Sequence, residues 1–403
     1  MPQAPIYLDY HATTPVDKDV LTAMLPYFSD RFGNAASRSH PFGWKAMEAV
    51  DISRHQVATL LHVEDKDIYF TSGATEGINF LLKGAAESFR SRGKHILSVA
   101  TEHHAVLDTL EWLSQSGFEI TLLPVDSEGK VDFDLLQASI RSDTIFVAAM
   151  WANNETGVIH EMATIGRICS NAGIPLICDA TQAVGKLPVN PVEMGIDMLA
   201  FSGHKIYGPK GAGAVYINSH LRPKPAPLLH GGGHENGLRS GTLNVPGIVG
   251  LGHACQLVHQ SRVSDMDRIG KMRDEFENRV LAALDDVSIN GSREHRLATV
   301  SNLRVRYTDS QAVMSAFRTR LAISSGSACS SADPAPSHVL RAMGLTEAEA
   351  KGSYRISLGR TTTIMEIQAA ADLFIRAINA YRAQSPVWSM HLKGIDVDNL
   401  ELH

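Results

Sequence analysis

Short apolar runs alternate with longer amphipathic segments along the first two-thirds of the chain. The runs Ile68–Thr71, His95–Ala100, Glu119–Pro124, Thr144–Met150, Pro175–Cys178, Met198–Phe201 and Gly213–Ile217 predict strands. Between them, apolar positions at helical spacing predict helices over Ala74–Arg90, Ala105–Gln115 and Met162–Asn171. Strands separated by helical stretches imply an α/β fold with a mostly parallel, seven-stranded sheet. This block runs from residue 16 to 258. The charged helical stretch Val263–Leu284 follows, and Ala298–Val305 and Arg355–Leu358 read as strands of a smaller α+β domain. Residues 1–15 and 259–403 are assigned to that domain. The stretch Ser324–Ser337 holds six serines, one glycine and two prolines, and is expected to be a loop.

Composition narrows the class. The 403 residues suffice for two packed domains, and 44% hydrophobic with 20% charged residues is ordinary for a soluble globular protein. A formal charge of −6 argues against direct nucleic-acid binding. No apolar run reaches the roughly 18 residues of a membrane span, and no secretory leader pattern opens the chain. A cytoplasmic protein with reduced cysteines is therefore expected. Cys169, Cys178 and Cys255 lie in apolar or helical patterns and read as core residues. Cys329 lies in the serine-rich loop, within Gly326-Ser-Ala-Cys-Ser-Ser, where an exposed thiol is a liability unless it reacts.

Candidate chemistry collects just beyond the carboxyl ends of the strands, where open parallel sheets bind ligands. Asp179 follows one strand and Lys205 follows the next, inside Ser202-Gly-His-Lys-Ile-Tyr-Gly-Pro-Lys-Gly. A lysine there can form a Schiff base, and the aspartate can pair with a pyridinium nitrogen, as pyridoxal 5'-phosphate (PLP) requires. In Phe70-Thr-Ser-Gly-Ala-Thr-Glu-Gly, the N–H groups of Ala74 and Thr75 would open a helix and cradle a phosphate; plain N-capping by Ser72 or Thr75 is the alternative. A histidine in Thr101-Glu-His-His could stack on an aromatic cofactor and exchange protons, or be a polar loop residue. Trp151-Ala-Asn-Asn-Glu-Thr-Gly reads as a turn, or as a source of amides for a cofactor hydroxyl or a substrate. Gln182 lies one short step past Asp179.

The stretch His230-Gly-Gly-Gly-His-Glu with Arg239-Ser-Gly-Thr could close over a phosphate through Thr242. A metal site at His230 and His234 lacks supporting ligand spacing, and no metal is expected. In Tyr354-Arg-Ile-Ser-Leu-Gly-Arg, Arg355 begins a strand and could clamp a carboxylate, while Arg360 could equally be a surface ion-pair residue.

Together these segments resemble the cysteine desulfurases of the NifS/IscS type, IscS-like branch, in class V of the fold-type I PLP enzymes. The resemblance runs from Tyr7-Leu-Asp-Tyr-His-Ala-Thr-Thr-Pro to Ser385-Pro-Val-Trp and Gly394-Ile-Asp. It implies that Lys205 carries PLP, Asp179 pairs with the ring nitrogen, Gln182 meets the ring hydroxyl and His103 stacks on the ring. It further implies that Ala74, Thr75, Ser202 and His204 hold the phosphate, with Thr242 arriving from the second subunit of a homodimer. Asn154 lies beside cofactor and substrate, Arg355 and Asn34 bind the carboxylate of L-cysteine, and Cys329 takes the sulfur as a persulfide. Alanine is the other product. The implied acceptor is an IscU-type scaffold for iron–sulfur cluster assembly or a tRNA-thiolation relay protein. Ala35, His104 and Thr156 depart from residues frequent in the family, as does Asp333-Pro-Ala-Pro after Cys329. A selenocysteine lyase, another enzyme of this fold, or a non-catalytic scaffold are the rival readings.

Overall fold

The computed structural model describes residues 5–325 and 336–395. Cys329 and most of the serine-rich stretch lie outside the described residues.

A seven-stranded sheet forms the centre. It runs from Ile68–Thr71 at one edge through Gly213–Ile217, Met198–Ser202, Leu176–Asp179, Thr144–Ala148 and His95–Val99 to Glu119–Leu123. All neighbours are parallel except Gly213–Ile217, which runs antiparallel to both strands beside it. Alternate side chains of each strand enter two separate cores. Leu199, Phe201, Cys178 and Val147 pack on one face; Met198, Ala200, Ile177 and Phe146 pack on the other. Helices cover both faces, which is why these strands read as unbroken apolar runs.

A second, antiparallel sheet orders Ser324–Ser325, Ser353–Ser357, Val300–Val305 and Val287–Ile289. The expected strands recur within one or two residues at each end, with two consequences for the site. Asp179 is the last residue of its strand rather than the first after it, and Arg355 sits in the middle of Ser353–Ser357 rather than opening it. The charged stretch 263–284 is not a separate helix. It is the far half of one 39-residue helix, Val245–Ala283. Its first half buries Ile248, Leu251 and Val258 in the main core, and its second half buries Ile269, Met272 and Phe276 in the core of the second sheet.

Two long helices lie outside the predicted elements. Ile364–Gln384 opens on a reciprocal Thr363/Glu366 capping box that is legible as T-x-x-E. Pro41–Leu61 is harder to see, because exposed Trp44 and Ile52 blur its apolar stripe.

The N-terminal segment links the two sheets. Ile6–Tyr7 pairs with Leu321–Ala322, Leu8 enters the second core, and Thr14 N–H then donates to His204 O at 2.9 Å beside the main sheet.

Two outcomes follow from this packing. A Cβ on Gly213 would lie 2.6 Å from both Gly73 Cα and Phe201 O, so Gly213→Ala must separate the Gly73 turn from the sheet. Urea unfolding should show a loss of about 1–3 kcal/mol; a wild-type midpoint would mean that the backbones part freely. His160 is buried, its Nε2 has no hydrogen-bond partner among the described residues, and burial pushes its pKa down to about 4. The unfolded chain binds a proton here near the usual 6.5 and the folded chain refuses it until about 4. Stability therefore drops as pH falls from about 6.5 toward 4, on the order of 1–3 kcal/mol from this residue. His160→Phe should flatten that part of the acid limb in unfolding measured at pH 7 and pH 5; an unchanged difference between the two pH values would show that His160 is not its source.

Candidate active site

A cavity of about 600 Å³ opens at the carboxyl ends of Leu176–Asp179 and Met198–Ser202. The parallel register sets Asp179 opposite Ala200, so the chain leaves both strands side by side. Ala74, Thr75, His103, Asn154, Asp179, Gln182, Ser202, His204 and Lys205 all line this one space.

Each is aimed by its local structure. Helix Ala74–Phe89 has Gly73 at its N-cap, and no side chain caps it. The N-capping alternative therefore does not hold, and the open helix end faces the cavity as an anion site. Gly73 adopts φ +151°, and a Cβ there would meet Ser202 Oγ at 3.5 Å, which brings the hydroxyl against the same turn. Glu76 would oppose an anion, but Arg239 holds it at 2.7 and 3.1 Å and supplies the compensating charge.

Asp179 is buried, and its Oδ1 accepts from Thr181 N–H at 2.9 Å. The hydroxyl of Thr181 is buried at the cavity wall with no hydrogen-bond partner among the described residues. A carboxylate this deep is costly without a cation. Lys205 ends the turn Gly203–Lys205, and its Nζ donates to His11 O at 2.5 Å and Ala12 O at 2.8 Å.

The histidines are tuned neutral. His103 caps helix His104–Gln115, with Nδ1 accepting from Ala105 N–H at 3.0 Å. Its free proton therefore sits on Nε2. Burial lowers its pKa, against the opposing pull of Asp179. Burial first, then Lys205 and Lys210, push His204 down to about 4. His11 is held well below the usual histidine range by burial, then by Lys186 and Arg355. Its Nδ1–H donates to Asn154 O at 3.1 Å, and Nε2 accepts from Thr299 Oγ1 at 2.8 Å.

The turn after Thr144–Ala148 is at once a turn and a wall of the site. Asn153 Oδ1 accepts from the N–H groups of Glu155 and Thr156, leaving Asn154 facing the cavity. Three expected site residues do not line it. Arg355 is buried beside Asn154, donating to Asp9 Oδ1 at 2.9 Å and Asn154 O at 3.3 Å. Asn34 is exposed, its Oδ1 taken by Ala36 N–H. Thr242 is also exposed, on a segment whose Arg239 reaches the site by bonding Glu76. His230 and His234 form no metal cluster, and no group of three potential ligands exists among the described residues.

Sequence reasoning gave no site role to His11, Ala12 and Thr13, which cover the lysine, or to Lys186 behind it. The polar run Asp9-Tyr-His-Ala-Thr-Thr was the available signal. Neither helix periodicity nor strand alternation explains it.

These groups fit PLP. An open helix end and hydroxyls suit its phosphate, a buried aspartate and an orphaned threonine hydroxyl suit its polar ring, and a lysine suits its aldehyde. Comparison with known proteins agrees. Residues 6–370 match the aminotransferase class-V family. The chain is 47% identical over 397 residues to the cysteine desulfurase IscS of Anaeromyxobacter sp. (strain Fw109-5), covering 98% of both chains. It is 46% identical over 399 residues to that of Neisseria meningitidis serogroup C / serotype 2a, covering 99% of this chain and 98% of the other. Among solved structures, a NifS-like protein superposes with a TM-score of 0.87 at 33% identity, over 93% of this chain and 100% of that one. SspA in complex with cysteine gives 0.77 at 36% identity, over 87% and 98%. Likeness of this extent means that the chain belongs to the class-V aminotransferase family and, within it, to the IscS-type cysteine desulfurases.

Proposed function

We propose that this chain converts L-cysteine to L-alanine with PLP and collects the sulfur on Cys329. The observation that carries this reading is the convergence of Lys205, Asp179 and the open end of helix Ala74–Phe89 on one cavity. The cysteine-bound SspA structure and the IscS relatives support L-cysteine as the substrate.

When bound, PLP supplies an electron sink beside the substrate. The chain's own groups do the remaining work. The N–H groups of Ala74 and Thr75, the hydroxyls of Thr75 and Ser202 and the neutral His204 hold the phosphate. Asp179 keeps a proton on the ring nitrogen, and Gln182 meets the ring hydroxyl. Lys205 would anchor the cofactor, and its freed amine would take the Cα proton of the substrate and return one to Cα before alanine leaves. His103 presents Nε2–H for proton transfer. Asn154 receives the substrate carboxylate at the cavity wall, and Arg355 and Asn34, which do not line the cavity, would have to turn toward it. The Cys329 thiolate attacks the substrate sulfur. An S–S bond forms as the C–S bond breaks, the bond pair passes to Cβ, and Cβ takes a proton. Alanine leaves and the persulfide stays, with no outside oxidant.

The enzyme is a homodimer in this reading. Leu25, Phe28, Phe32, Phe42 and Trp44 are exposed large apolar residues on the segments flanking Asn34, more than a free surface usually carries. Thr242, exposed in its own subunit, then completes the partner's phosphate site. The acceptor in this reading is an IscU-type iron–sulfur scaffold or a tRNA-thiolation relay protein. The compartment is the cytoplasm. The three described cysteines are unpaired and buried, as a reducing environment allows, and no described helix is long and apolar enough to cross a membrane.

Lys205→Ala should lose both the visible absorbance of the lysine-linked cofactor and turnover; desulfuration at the wild-type rate would refute the lysine's role. Asp179→Ala should lose turnover far more than folding stability, read by alanine release against urea unfolding. Cys329→Ser should bind PLP and cysteine but form no persulfide by mass spectrometry. Burial raises the thiol pKa of Cys169 to about 12 and lifts Cys178 and Cys255 well above the usual range. Their alanine variants should keep turnover, and sulfur found on any of the three would overturn the assignment to Cys329.

A further inference from the structure

Lys186 lies behind the cavity, one turn past Gln182. Its Nζ donates to Gln182 Oε1 at 2.8 Å and to Gln182 O at 3.3 Å. An ammonium only donates, so Oε1 is the amide atom that must face it. The other end of the amide is fixed in turn, with Gln182 Nε2 donating to His11 O at 3.1 Å. That same carbonyl accepts from Lys205 Nζ. One continuous chain of bonds thus runs from Lys186 through Gln182 and His11 to Lys205. Lys186 and Lys205 also line one small cavity of about 20 Å³.

We propose that Lys186 is a positioning residue that locks the Gln182 amide with its nitrogen turned toward the cofactor ring. The proposal rests on the PLP reading above. The His11 carbonyl asks for the same orientation, but Lys205 competes for it, so Lys186 is the partner that Gln182 does not share. The residue as a whole is half-buried while its amine lies deep. Burial first and Lys205 second push that amine down to about 7. The other groups that feel its charge are His11 and His204, both held neutral. A second basic amine buried next to Lys205 is a costly arrangement to keep for packing alone.

The test is a double-mutant cycle on the holoenzyme. The readout is the pH midpoint of the visible absorbance of bound PLP in wild type, Lys186→Met, Gln182→Ala and the double variant. A donor to the ring hydroxyl oxygen favours its deprotonated form, so losing that donor raises the midpoint. Each single variant should raise it by roughly half to one pH unit, and the double variant should equal Gln182→Ala alone. Additive shifts, or an unmoved midpoint in either single variant while wild type titrates, overturn the inference and leave the PLP reading intact. A wild-type protein that shows no lysine-linked absorbance at any pH sinks the PLP reading itself. Thermal melts of the apo forms check folding; should Lys186→Met not fold, Lys186→Gln runs the same cycle.

Discussion

The donation from Lys205 Nζ to the carbonyls of His11 and Ala12 is the contact on which the site's geometry depends. An amine at the end of a buried strand needs acceptors. The N-terminal segment provides two, and it is not free to move. Leu8 is sunk in the second core, Ile6–Tyr7 is paired to Leu321–Ala322, and Thr14 is bonded to His204 O. The lysine is thereby referenced to both sheets at once. A shift of either sheet relative to the other would be felt at Nζ.

Charge in and around the cavity is arranged by desolvation more than by pairing. Lys186, Lys205 and Lys210 lie in or behind the cavity wall, and every histidine near them is pushed toward its neutral form, with burial the largest cause. Neutral imidazoles keep their hydrogen-bonding ability without adding positive charge to a crowded region. The anionic side is correspondingly spare. Asp179 is the buried carboxylate on the cavity wall, while Glu76 is spoken for by Arg239 and Asp9 by Arg355. That division leaves a place for a ring cation at Asp179 and for a phosphate at the open helix end.

Buried carboxylates also hold the loops that carry the catalytic candidates. Glu102 accepts from Met150 N–H and ties the His103 loop to the turn bearing Asn154; burial lifts its pKa well above the carboxylate range. Glu155, raised by burial to about 7, accepts from Ser337 Oγ at 2.5 Å, joining that turn to the N-cap of helix His338–Ala342. Neither residue lies in the cavity wall, yet both set where the wall stands.

Much of this was legible in the sequence. Apolar runs of strand length, interrupted by helical periods, determined the sheet and its parallel character, because both faces of such a sheet are buried. Gly73 before Ala74 and Thr75, Asp179 at one strand end and Lys205 beyond the next were readable for the same reason: their positions follow from local element boundaries. The tertiary structure alone decided the rest. Lys205 meets His11 across 194 residues, Arg355 meets Asp9 across 346, and Arg239 meets Glu76 across 163. Contacts that distant leave no periodicity in the chain. The long helix Val245–Ala283 was split in the sequence pattern for a related reason, since its two halves answer to two different cores, with few apolar residues between Val258 and Ile269.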